Sequence, residues 1–167
     1  ACATPTLTAT PTTTVVLPTP THTPTPTGTP TRTPTPSVCG SLSIGNLYFD
    51  PGYGDRVLAD VNNSGTNQAV LDRVIFYWPS MSGYINRYKL GSNTIWDGDG
   101  YNHPQDTYLT SYVSYRTVPA YGLRTWLADL NNAPYPLSQY YGIDQFGLKL
   151  YLSVSGTTCE LSTGNVP

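Results

Sequence analysis

From Leu42 onward, hydrophobic positions alternate with polar ones in short runs, the two-residue period of half-buried strands. No window carries a 3.6-residue apolar period built from good helix formers. LSIGNLYF (42–49) predicts a first strand, ended by Asp50-Pro51-Gly52. RVLADVN (56–62) places Val57, Ala59 and Val61 on one face, and NNSGTN (62–67) has the residues of a turn. QAVLDRVIFYWP (68–79) predicts a long central strand buried on both faces at its far end. YINRYKL (84–90) turns at Gly91-Ser92-Asn93 into TIW (94–96), the best local hairpin in the chain. A polar loop, DGDGYNHPQD (97–106), is followed by strands YLTSYVSYRTV (108–118), RTWLADL (124–130), FGLKLYLSV (146–154) and TCEL (158–161). Eight or nine strands at this spacing predict an all-β domain over 39–167, an antiparallel β-sandwich.

Residues 1–38 obey a different pattern. They hold 16 Thr, 9 Pro, the single charge of Arg32 and no aromatic residue. Thr19 to Pro36 is close to a Thr-Pro repeat. Proline fixes φ, removes a donor and pushes its predecessor to extended geometry, so an extended, polyproline II-like arm is expected. It is either a bare spacer or an O-glycosylated stalk, with Thr19, Thr21, Thr23, Thr25, Thr27, Thr29, Thr31, Thr33 and Thr35 as acceptors. Within ATPTTTVVLP (9–18), the run Thr12 to Val16 with Leu17 has strand propensity, and Pro18 closes it. Val15, Val16 and Leu17 are then apolar anchors that add to a sheet edge, of this domain or of a neighbour; the alternative is a chance apolar cluster.

Composition narrows the function. Of 167 residues, 11% are charged and the net charge is −2, with one Glu and two His. The chain lacks a basic footprint for nucleic acid and any apolar run long enough for a membrane span. Cys39 and Cys159 bracket the domain, and a disulfide between them would tie first strand to last. Free thiols in a cytosolic protein are the alternative, which the Thr-Pro arm disfavours; the disulfide implies an oxidising, extracellular compartment. Cys2 is left over. It is a lipid-anchor cysteine (although Ala1 precedes it), a link between subunits, or one half of a pair whose partner lies upstream.

The order Cys39-x-x-x-x-Ile44, VNNSGT, VIFYWP, INRYKLGSNTIWDG, VPAYGLRTWLADL and the final CEL resembles an immunoglobulin-like β-sandwich repeat of bacterial extracellular proteins, often strung between Thr/Pro linkers. In such repeats an aromatic-Trp-Pro strand end precedes Gly-x-x-x-Ile-Trp, here Tyr77-Trp78-Pro79 and Gly91 to Trp96. The resemblance spans roughly residues 39–162. It implies the fold, a surface location and a stalk or adhesive role, and transfers no catalytic residue.

Enzyme motifs are absent: there is no Gly-x-Ser-x-Gly, no His-Glu-x-x-His and no phosphate-cradling glycine loop, so no catalytic residue and no cofactor are expected. Asp97, Asp99 and Asn102, with help from Asp106, form a weak calcium candidate whose spacing departs from an EF-hand; a plain glycine-rich turn is the alternative. Asn62-Asn63-Ser64 is a formal N-glycosylation sequon of a kind that arises by chance. All 14 Tyr and 3 Trp lie in the domain. Trp78, Trp96 and Trp126 alternate within strands and belong to the core or its margin. Tyr112 and Tyr115 fall on opposite faces of one strand by parity. Tyr135, Tyr140 and Tyr141, in a Pro/Gly-rich loop, are expected as exposed contacts. The sequence therefore leads to a non-enzymatic extracellular structural subunit, a glycosylated fibre or stalk assembling head to tail with copies of itself. The other reading is a carbohydrate-binding or adhesive module on a Thr/Pro spacer.

Overall fold

The computed structural model describes residues 38–167, so the anchors Val15, Val16 and Leu17, the Thr19–Thr35 acceptors and Cys2 lie outside the described residues. The domain is built from strands β1 (Leu42–Ile44), β2 (Tyr48–Phe49), β3 (Arg56–Asn63), β4 (Ala69–Tyr77), β5 (Tyr84–Leu90), β6 (Asn93–Gly100), β7 (Gln105–Tyr108), β8 (Thr117–Val118), β9 (Gly122–Asn131), β10 (Gly147–Val154) and β11 (Thr157–Gly164). They form two antiparallel sheets, β1-β3-β9-β5-β6 with β2 also on β3, and β11-β10-β4-β7 with β8 also on β4. The sheets pack face to face as a sandwich.

The two-residue alternation explains the core. Val57, Ala59 and Val61 of β3 and Trp126, Ala128 and Leu130 of β9 are buried against Leu148, Leu150 and Leu152 of β10. In β4 the alternation breaks: Leu71 and Val74 point inward, while Asp72 and Arg73 are both half-exposed. A β-bulge absorbs the extra residue, because Leu152 pairs with Leu71 but Tyr151 pairs with Arg73. Beyond the bulge Val74, Ile75, Phe76 and Trp78 are all buried, the two-faced burial expected of that strand end. Phe76, Tyr88 and Trp126 form an aromatic centre, with Trp126 5.3 Å from Phe76 and 5.4 Å from Tyr88. Burial pushes the Tyr88 phenol well above its ordinary value, so the ring stays neutral.

The hairpins form as their turn residues dictate. Leu90 pairs with Asn93, leaving Gly91-Ser92 as the turn, and Gly91 takes φ +59°. Val154 pairs with Thr157 across Ser155-Gly156, both at positive φ, a type I′ arrangement that suits the strand twist.

Five expectations change. The strand 42–49 splits into β1 and β2 around Gly45, whose N–H donates to Asp60 O at 2.8 Å. The loop 97–106 is shorter than its polarity suggests, because β6 runs through Gly100 and β7 starts at Gln105. The strand 108–118 does not exist as such: β7 ends at Tyr108, residues 113–116 form a 3-10 turn, and beyond Tyr108 only Thr117–Val118 pair with β4. Arg116 ties that turn to the Leu71 carbonyl and the Asp72 carboxylate, and Thr117 Oγ1 donates to Val113 O, local bonds that hold the segment out of the ladder. Tyr112 and Tyr115 consequently stack edge to face with ring centres 5.6 Å apart, instead of pointing to opposite faces. The closing strand is longer than 158–161 and spans Thr157–Gly164.

Cys39 and Cys159 form a disulfide that joins the turn Val38–Ser41 to β11. Next to it, the buried Asn63 organises the β3–β4 turn. Its Nδ2 donates to Asn67 O at 2.8 Å and Pro119 O at 3.1 Å, and its Oδ1 accepts the Gly65 N–H at 3.0 Å. Asn63→Ala leaves these groups without partners and should cost about 1–3 kcal/mol, read as a lower urea midpoint; Asn62→Ala, at an exposed position, should not move it.

Candidate functional site

The pairing registers separate two ends of the sandwich. At one end Leu42 pairs with Asn63, β5 turns into β6 and β10 turns into β11, so Val38–Ser41 and the disulfide lie there. The opposite end carries the connections 50–55, 78–83, 101–104 and 132–146, and β11 arrives there as Gly164 opposite Gly147. The segment entering the domain at Cys39 therefore meets it at the end far from these loops.

Most exposed aromatic side chains lie at the two ends, with Tyr48 and Tyr108 between them. Tyr53, Tyr101, Tyr135 and Tyr140 belong to the far end, and Tyr112, Tyr115 and Tyr121 lie near the end where the chain enters. Tyr135 is 66% exposed and Tyr140 58%. Tyr141 differs from the expectation: it is half-buried, packed edge-on against Phe146 at 6.5 Å, because the four-residue helix Leu137–Tyr140 turns its neighbour inward. The far-end loops are held closely. A Cβ on Gly54 would lie 2.5 Å from Pro136 Cβ, so only glycine fits there. Arg56 covers the Tyr53 ring at 3.7 Å, and Asn131 Nδ2 donates to Tyr84 Oη at 2.7 Å while Tyr84 packs on Tyr101. Beside them lies an open cleft of about 540 Å³ lined by Tyr77, Trp78, Pro79, Asp144, Gln145, Asn165 and Pro167. Trp78 and Trp126 are buried and Trp96 is packed on the core margin, as their strand positions predict.

The calcium candidates are placed differently from a loop. Asp97 and Asp99 are exposed residues of β6, and Asn102 follows the strand. Asp106 is engaged elsewhere, its Oδ1 accepting from Arg73 Nε at 2.7 Å. The Arg73 bonds hold the Asp106 carboxyl below its ordinary range. Among the described residues no group of three or more His, Cys, Asp or Glu side chains is placed to hold a metal ion. Arg73 also lies over Tyr108 and Tyr151, making one charged and aromatic cluster on the outer face of its sheet. On the other sheet the buried Asp129 stands between Arg56 and Arg87, its register partners on β3 and β5, with Arg87 Nε at 2.9 Å. Both clusters tie neighbouring strands together. Among the described residues no helix is long and apolar enough to cross a membrane.

Comparison with protein-family models, with curated proteins and with solved structures gave no match. The domain is thus defined by its own geometry: a two-sheet antiparallel β-sandwich closed by the Cys39–Cys159 disulfide. Sequence reading missed the Arg73 cluster and the Asp129 ladder. The signal for both lies in cross-strand register, which alternation alone does not supply.

Proposed function

We propose that this chain is an extracellular structural subunit that assembles head to tail through its Thr/Pro arm into a fibre or stalk. One observation carries the reading: the arm joins the domain at one end, and exposed tyrosines mark both that end and the opposite one. Tyrosine-rich surfaces at two different ends suit a heterologous contact that repeats without closing, which generates filaments. The disulfide supports an oxidising compartment. The immunoglobulin-like reading is supported by strand order. With β1, β3, β4, β5, β9, β10 and β11 as strands A to G, the sheets run A-B-E-D with β6 beside D, and G-F-C with β7 beside C. The disulfide departs from the antibody pattern, since it links the segment before A to G instead of B to F. Thr19 to Thr35 would carry O-glycans that sheath the assembly and hold the arm extended.

Deleting residues 1–18 should abolish assembly, read by sedimentation, and leave the melting temperature of the domain unchanged. Polymers of normal length from the truncated chain would remove the arm from the account. A second reading, a carbohydrate-binding module, is favoured by the solvent-facing rings of Tyr135 and Tyr140. It predicts a monomer whose tyrosine fluorescence changes with a glycan at millimolar concentration, and a flat titration across a glycan panel would end it.

A further inference from the structure

The edges of the two sheets meet along one seam, where β1 lies close to β11. The first predicted strand splits into β1 and β2, so beyond Gly45, at residues 46–47, the edge of the β3 sheet is interrupted. Across the seam runs β11, paired with β10 in unbroken register over all eight residues and bonded to no strand on its other side. Val154 and Thr157 close a two-residue turn, which makes theirs a hydrogen-bonded pair. The Asn165 N–H, 2.7 Å from Phe146 O, keeps the same phase at the other end of the ladder. The N–H and C=O groups of Glu160 and Ser162 therefore point outward, and they have no backbone partner among the described residues. Over Glu160–Gly164 this edge carries no proline and no bulge, and its one charge is Glu160. Beside it lies a cleft of about 310 Å³ lined by Asn46, Leu47, Ile143, Asp144, Thr163 and Gly164. Leu161, two residues before Thr163 and on the same face of β11, is half-buried.

We propose that this edge and cleft receive residues 12–17 of a second copy of the chain, as a strand added beside β11. The inference rests on the assembly reading and names its acceptor. TTTVVL is the only run of the arm with strand propensity, and Pro11 and Pro18 bound it at the length of a short strand. Strand parity puts Val15 and Leu17 on one face and Val16 on the other. Set beside β11, the Val15 and Leu17 side chains continue the inward row of Leu161 and Thr163 and fill the cleft, while Val16 faces out. Length selects the partner copy. Along β11 the cleft at Thr163 is four residues from Cys159, where the arm is rooted, or about 14 Å. In the extended polyproline II geometry that its Thr-Pro repeat favours, about 3.1 Å per residue, the spacer from residue 18 to residue 37 would span about 60 Å, far more than its own cleft requires and enough to cross to a neighbour.

Two variants of the full chain test this. Val15→Asp/Leu17→Asp spoils the donor, and Ser162→Pro spoils the acceptor. Proline at an outward-facing edge position removes no ladder bond to β10, so Ser162→Pro should keep the wild-type circular dichroism and melting temperature. Each variant alone should lose sedimentable polymer by at least about tenfold, while Val16→Asp retains it. Mixed in equal amounts, the donor-dead and acceptor-dead chains should form a discrete complex of two chains, because one intact arm meets one intact edge. Wild-type polymer with undiminished polymer from either variant, or no complex in the mixture, overturns the site and leaves the assembly reading standing. A wild-type chain that is monomeric overturns both.

Discussion

Replacing Cys39 by Ser is expected to lower the stability of the domain by about 5 kcal/mol, the entropy that a bridge across 120 residues withholds from the unfolded chain. The bridge pins the turn that leads into β1 to the last strand, so both chain ends of the sandwich are held by one bond. A domain of this size is ordinarily stable by 5–15 kcal/mol, roughly, so the loss is a large part of the total. Thermal melting followed by tryptophan fluorescence should show a fall of about 15 °C for Cys39→Ser, and the same fall for wild type under reducing conditions. A variant that melts with the oxidised wild type would mean that the ends hold without the covalent tie. Cys159→Ser should behave alike, with the added burial of a hydroxyl at a fully enclosed position.

Trp126→Ala carries the second large effect. Trp126 is completely buried on β9 and touches Phe76 of the facing sheet and Tyr88 of the neighbouring strand, so it bridges the layers. Truncation removes the largest enclosed side chain and leaves a cavity between two sheets that cannot both close on it, a cost of about 3–5 kcal/mol. Trp126→Phe should cost clearly less. It keeps most of the ring volume and removes an indole N–H that has no partner among the described residues. Urea denaturation of the three proteins gives the order wild type, Phe, Ala. An alanine variant within about 1 kcal/mol of wild type would show that the centre of the sandwich does not depend on this residue.

Much of the fold was legible because the signals were local. The alternation of Val57, Ala59 and Val61, the glycine turn at Gly91, and the bracketing cysteines each rest on a few neighbouring residues. Strand length was less legible. Asp97 and Asp99 look like loop residues, yet β6 runs through them, since an exposed edge strand tolerates charge as well as a loop does. The opposite error fell at 108–118, where apolar alternation suggested a strand and side chains from β4 and β8 fold the segment into a turn. Tyr141 was misplaced for the same reason, as its inward turn depends on Phe146 and on the short helix before it. The position of β11 at a sheet edge was not legible at all: an edge exists only once sheet order is known.

The central claim, assembly into a fibre through the arm, is tested most directly by negative-stain electron microscopy of the full-length protein from its native source. The account predicts uniform filaments with a short axial repeat. Dispersed single particles of about one chain's mass, at concentrations where the protein is abundant, would contradict it.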